Sequence, residues 1–126
     1  GESFEVWGEG NQTRSFLYVD ECVEAVLRLM NSNFIGPVNI GSEEMVTIND
    51  LANLAIRVSK KNISFRNIYG KEFKDKYGFD CPVGVMGRNS DNRLFSEKVG
   101  WEVSESLEEG LAKTYPWIEE QIKKSN

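Results

Sequence analysis

The apolar residues of this chain change period several times along its length, and that alternation most restricts its fold. Phe4-Glu5-Val6-Trp7 alternates apolar and polar, the pattern of a short strand. Ser15-Phe16-Leu17-Tyr18-Val19 is aromatic and β-branched and predicts a second strand. Val23, Val26, Leu27 and Met30 then fall on one face of a helix that Asp20 is placed to cap. On its other face, Glu24 and Arg28 are spaced to pair. Pro37-Val38-Asn39-Ile40 reads as a short strand stopped by Gly41. Thr47 and Asp50 resemble a capping box for a helix carrying Leu51, Ala52, Ala55 and Val58. Residues 63–68 alternate as a strand, and residues 69–82 read as a long loop with one helical turn at most.

Asn89 or Asp91 can cap a short helix with Leu94, Phe95 and Val99, which Gly100 ends. Ser106 and Glu109 form a second capping box before the last helix, where Leu107, Leu111, Tyr115, Ile118 and Ile122 make the apolar side. Pro116 inside it should kink or split that helix. Short strands interleaved with about four helices predict a small mixed α/β lobe. At 126 residues it is expected to form one domain, residues 1–126.

Counting residues excludes several functions. The chain has no histidine, which removes Ser-His-Asp triads, Cys-His pairs and HExxH zinc sites. A net charge of -5 argues against nucleic acid as a partner. No apolar run approaches the ~20 residues of a membrane span, so no membrane partner is expected. The first residues carry neither a basic region nor an apolar stretch, so no signal peptide is expected and the location reads as cytoplasmic. Cys22 and Cys81 lie far apart and outside any CxxC motif, which argues against structural zinc, and buried or idle thiols are favoured over a disulfide. The acidic run Asp20, Glu21 and Glu24 reads as helix N-terminal charge.

Gly8-Glu9-Gly10-Asn11-Gln12-Thr13 lacks the third glycine of a dinucleotide fingerprint, and a strand follows it. No cofactor-binding residue and no catalytic residue is therefore assigned. What remains is arginine. Arg14 at the start of the second strand and Arg88 after the long loop carry planar forks suited to phosphate oxygens.

The run Trp7 to Ala25, with its Gln12-Thr13-Arg14-Ser15-Phe16 and Asp20-Glu21-Cys22-Val23-Glu24, resembles extended short-chain dehydrogenase/reductases. These are the NAD-dependent nucleotide-sugar epimerases and dehydratases. Val38-Asn39-Ile40-Gly41-Ser42, Gly87-Arg88-Asn89-Ser90-Asp91-Asn92 and Val99-Gly100-Trp101 followed by Ser106-Leu107-Glu108-Glu109-Gly110-Leu111 are similar to later segments of that family, in the same order. Members acting on GDP-hexoses are the nearest in pattern.

The resemblance implies the C-terminal substrate lobe of a longer enzyme, without its Rossmann lobe. It implies a nucleotide-sugar ligand, with Gln12, Thr13 and Arg14 touching the substrate and Arg14 and Arg88 on the diphosphate. NAD and the catalytic pair belong to the Rossmann lobe, which becomes a partner of this one; the intact family enzymes can pair as homodimers. Two features depart from the family. Residues 69–82 are longer than its loop, and Met86 stands where it often has a basic residue. A free-standing nucleotide or sugar-phosphate module and a ligand-free interaction domain remain alternatives.

Overall fold

The computed structural model describes residues 1–126. Its elements are β1 (Glu2–Trp7), β2 (Thr13–Arg14), α1 (Val19–Met30), β3 (Val46–Thr47), α2 (Ile48–Ser59), β4 (Ile63–Ile68), α3 (Gly70–Tyr77), α4 (Arg93–Val99) and α5 (Leu107–Ser125). This is the mixed α/β fold that the periodicity predicts, with five helices rather than four. The chain divides into two compact units, each assembled from two stretches: residues 1–14 with 46–87, and residues 15–45 with 88–126.

In the first unit, β1 and β4 pair in parallel, from Glu2 opposite Ile63 to Trp7 opposite Ile68. Parallel neighbours need a crossover, and α2 precedes β4. The predicted capping box starts α2: Thr47 Oγ1 accepts from Asp50 N at 3.0 Å, and Asp50 Oδ2 accepts from Thr47 N at 3.2 Å. Val6, Ala52, Leu54, Ile68 and Phe73 are the buried apolar side chains. β2 pairs antiparallel with β3, and Thr13 also bridges Gly87.

The long loop expected over residues 69–82 is largely helix, the eight-residue α3. Phe73 and Tyr77 sit one turn apart and pack together with ring centroids 4.7 Å apart. Trp7 meets Phe73 edge-on at 4.9 Å. Glu5 of β1 accepts hydrogen bonds from Lys76 and from Tyr77 Oη, the latter at 2.5 Å. The Lys76 bond, then the Tyr77 bond, hold the Glu5 pKa below its ordinary value. Gly78, at φ 81°, ends α3 in the left-handed conformation that a glycine adopts without a Cβ clash. The loop composition hid this helix because its driving contacts come from β1, more than sixty residues away in sequence.

The second unit contains α1, α4 and α5. Phe95 of α4 is 1% exposed and meets Trp101 edge-on at 5.7 Å. The predicted capping box of α5 is present, with Ser106 Oγ accepting from Glu109 N at 3.2 Å. Buried Gly110 lets α5 approach Tyr18: a Cβ there would stand 3.0 Å from Tyr18 Cβ. Helix α5 runs unbroken through Pro116, so the predicted split does not occur.

Four local expectations are corrected in this unit. Residues 15–18 form no strand, and Tyr18, not Asp20, occupies the α1 N-cap, without a side-chain cap bond. Residues 37–40 form no strand either, because no chain segment pairs with them. Asn92 holds the α4 N-cap position, while Asp91 Oδ1 accepts from Arg93 N at 3.2 Å.

The face of α1 that the sequence marks as apolar is uncovered. Val19, Val23, Val26, Leu27 and Met30 are all exposed, Met30 to 73%. The predicted Glu24–Arg28 pair forms at 2.8 Å. Both cysteines are free and half-buried. No helix is long and apolar enough to cross a membrane.

Candidate functional site

Gln12, Thr13 and Arg14 follow the turn Gly8–Gly10 in the first unit, and that turn is laced in place by two asparagines. Asn49 at the start of α2 donates from Nδ2 to Glu9 O at 3.0 Å, and its backbone N donates to Gly10 O at 3.0 Å. Asn67 of β4 donates to Gly8 O at 3.1 Å and to Asn49 Oδ1 at 2.9 Å. Ile48 N donates to Gln12 O at 3.0 Å. Gly10 has φ +74°, and a Cβ on it would collide with the Asn49 side chain. These asparagines were not read from the sequence as site residues. Asn49 carried only the signal of a helix start, and the spacing from Gly8 to Asn67 gives no local hint.

Gly10→Ala is expected to cost about 1–2 kcal/mol from the left-handed backbone alone. It should also displace Asn49. Urea denaturation followed by circular dichroism measures the first effect. Loss of the Gly8–Gln12 amide resonances from their wild-type positions in an NMR spectrum reports the second.

Beyond the turn, Thr13 N donates to Met86 O at 2.7 Å, which ties β2 to the segment preceding Arg88. The half-buried Arg14 donates from Nη1 to its neighbour's carbonyl, Thr13 O, at 2.7 Å. Its Nη2 lies over Gly84, 3.3 Å from where a Cβ would stand. Gln12 folds back so that its Nε2 lies 3.6 Å from the Cβ position of Gly8. Gln12 also lines an open cavity of about 490 Å³ within the same unit.

Arg88 opens the second stretch of the other unit and is exposed. The residues after it are pinned to the Gly41-Ser42 turn that the sequence singled out. Asn92 Nδ2 donates to Gly41 O at 2.8 Å, and Ser90 Oγ donates to Asn92 Oδ1 at 2.5 Å. A Cβ on Gly41 would stand 2.6 Å from Ser90 Cβ, so only glycine permits this approach. The Arg93 guanidinium binds Asp91 at 2.7 and 3.0 Å and lowers the Asp91 pKa to about 2.

Ion pairing separates the arginines. Arg28 pairs with Glu24, Arg66 with Glu72 and Glu5, and Arg93 with Asp91. Arg14 and Arg88, the two selected from the sequence, take part in no ion pair, within a chain of net charge -5. A guanidinium without a carboxylate keeps its fork available for an external anion.

The chain is similar in sequence and fold to known proteins. The family profile of GDP-mannose 4,6 dehydratase matches residues 2–114. GDP-mannose 3,5-epimerase of Arabidopsis thaliana is 50% identical over 123 residues, covering 98% of this chain and 30% of that protein. UDP-glucuronic acid decarboxylase 1 of Danio rerio is 36% identical over 97% of this chain and 27% of its own length. Among solved structures, UDP-N-acetylglucosamine 4-epimerase from Methanobrevibacter ruminantium, in complex with UDP-N-acetylmuramic acid, superposes with a TM-score of 0.78 at 25% identity. That match covers 95% of this chain and 36% of the epimerase. UDP-glucose 4-epimerase from Thermotoga maritima, with UDP-glucose, gives a TM-score of 0.73 at 27% identity over 96% of this chain and 36% of its own. The chain thus spans about a third of the length of the proteins it matches. With the profile covering most of its residues and the fold agreeing, the chain belongs to the GDP-mannose 4,6 dehydratase family, among the NAD-dependent sugar-nucleotide epimerases and dehydratases.

Proposed function

We propose that this chain is the nucleotide-sugar-binding C-terminal lobe of an NAD-dependent sugar epimerase acting on GDP-mannose or a related GDP-hexose. The observation that carries the reading is the unpaired state of Arg14 and Arg88, the only two arginines that the motifs single out. Each contributes a guanidinium to the substrate diphosphate, and Gln12 and Thr13 contact the same ligand. The part played by these residues is binding and orientation, which fixes the sugar for chemistry performed by groups elsewhere in the enzyme.

The residues of this chain do not fit NAD. The Gly8–Gly10 turn leads into β2 rather than into a helix, so no helix N-terminus faces a pyrophosphate there. The cofactor, which supplies reversible oxidation of the sugar in such enzymes, is assigned to the Rossmann lobe. The uncovered α1 stripe supports a partner of that kind, since exposed apolar patches mark interaction surfaces. This chain alone should show no epimerase activity.

Titration of the chain with GDP-mannose, followed by ¹⁵N NMR, tests the reading. At roughly millimolar ligand, the amides of Gln12, Thr13 and Arg14 should shift. Arg14→Ala and Arg88→Ala should each weaken binding about tenfold, the scale of one charge-assisted hydrogen bond. Unmoved amides at these positions, or two variants that bind like wild type, would overturn it, as would turnover by the chain alone.

A further inference from the structure

An asparagine at a helix N-cap ordinarily uses its side-chain oxygen to accept from the backbone of the first turn. Asn92 holds that position on α4 and makes no such bond. Asp91 serves the first helical N–H instead, its Oδ1 accepting from Arg93 N at 3.2 Å. The Asn92 carboxamide is thereby free, and it is spent on a distant segment. Its Nδ2 donates to Gly41 O at 2.8 Å, while its Oδ1 accepts from Ser90 Oγ at 2.5 Å. The backbone joins in the same tie: Asn92 N donates to Glu43 Oε1 at 3.3 Å, and Ser90 N donates to Ser42 O at 3.4 Å. Gly41 is the one residue type that admits this approach, because its missing Cβ would fall on Ser90.

This clasp lies wholly in the second unit and begins two residues after Arg88. Arg88 is exposed and takes part in no ion pair. A long exposed side chain is placed no better than the backbone that carries it, so a rigid support has to come from the neighbouring residues. Asp91 is the acid nearest to Arg88 in sequence. It is held by Arg93 through two bonds, at 2.7 and 3.0 Å, and so does not claim the Arg88 fork.

We propose that Asn92 is a positioning residue for Arg88: by tying residues 90–92 to Gly41, it fixes the backbone from which the Arg88 guanidinium meets the diphosphate. The proposal rests on the nucleotide-sugar reading above and adds to it a residue that acts only through Arg88. Giving up a local cap for a tie 51 positions away makes sense for a segment whose placement matters more than its helix.

A double-mutant cycle on GDP affinity, measured by calorimetry with the full chain, tests it. Asn92→Ser keeps a good N-cap residue but is too short to reach Gly41 O. It should weaken GDP by about three- to tenfold, the scale of one hydrogen bond, with a thermal midpoint near that of wild type. In the Arg88→Ala background the same substitution should change nothing further, since the group it positions is gone. If Asn92→Ser unfolds the chain, Ser90→Ala gives the same cycle, because it removes the hydroxyl that holds Asn92 Oδ1. Wild-type affinity in these variants, alongside a loss in Arg88→Ala, would overturn the positioning role and leave the diphosphate reading standing. An equal loss with and without Arg88 would also overturn it, since Asn92 would then act through the fold at large. Arg88→Ala that binds like wild type, or GDP that does not bind at all, would remove both.

Discussion

Phe73→Ala is expected to destabilise the first unit by about 3–5 kcal/mol, the range for removing a buried phenylalanine side chain. Phe73 is fully buried and sits among Trp7, Tyr77 and Phe79 at centroid distances of 4.9, 4.7 and 5.3 Å. With eight residues, α3 is well below the ~12–15 at which an isolated helix becomes even marginal. Its stability therefore comes from this packing. Losing the ring should release α3 before the rest of the unit. Hydrogen exchange of the amides in 70–78 and thermal denaturation measure the two effects. A loss under about 1 kcal/mol, or α3 amides still protected, would show that the helix is held by other means.

Glu21→Ala is expected to cost the second unit about 2 kcal/mol, because it removes a buried carboxylate that accepts three part-buried hydrogen bonds. Glu21 is 6% exposed, and its Oε1 accepts from Ser104 Oγ at 2.5 Å, Glu105 N at 2.8 Å and Ser104 N at 3.0 Å. One carboxylate thus ties α1 to the turn before α5. Burial raises its pKa, but the hydrogen bonds from Ser104 and Glu105 outweigh burial and bring it below the ordinary glutamate value. A carboxyl whose folded pKa is depressed stabilises fully above its unfolded pKa of ~4.3, and that stability disappears as pH falls through the folded value. Glu21→Gln retains an acceptor and should lose less stability than Glu21→Ala, and it should flatten the acid limb. Urea midpoints between pH 3 and 7, values chosen to bracket the ordinary carboxylate range, check both. A variant with the wild-type acid limb would mean that another carboxyl controls it.

Features that depend on residues within about four positions were legible along the chain. Thr47 with Asp50 and Ser106 with Glu109 announce α2 and α5 because a capping box closes over three residues. The alternation of residues 63–68 and the exit of α4 at Gly100 were equally local. The expected strands at 15–19 and 37–40 failed for the opposite reason. A strand exists only when a second segment satisfies its backbone, and none does here. Of the two outcomes expected at Pro116, the split does not occur, since a long capped helix tolerates the missing N–H.

The arginines divide along the same line. Their place in family-like motifs was visible in sequence, but their lack of an acid partner was not, because Arg66 and Arg93 look no different in composition. Glu21 read as a helix-end charge until Ser104 and Glu105, more than eighty residues away, were found to enclose it. Residues 69–82 read as loop because Gly, Lys and Asp dominate them, and Trp7 and Glu5 turned them into a helix with a cavity wall. Local hydrogen bonding and side-chain period set where helices and strands begin, and so established the α/β class and the family pattern. Burial, ion pairing and the shape of the binding surface depend on which distant groups meet, and that depends on the folded chain.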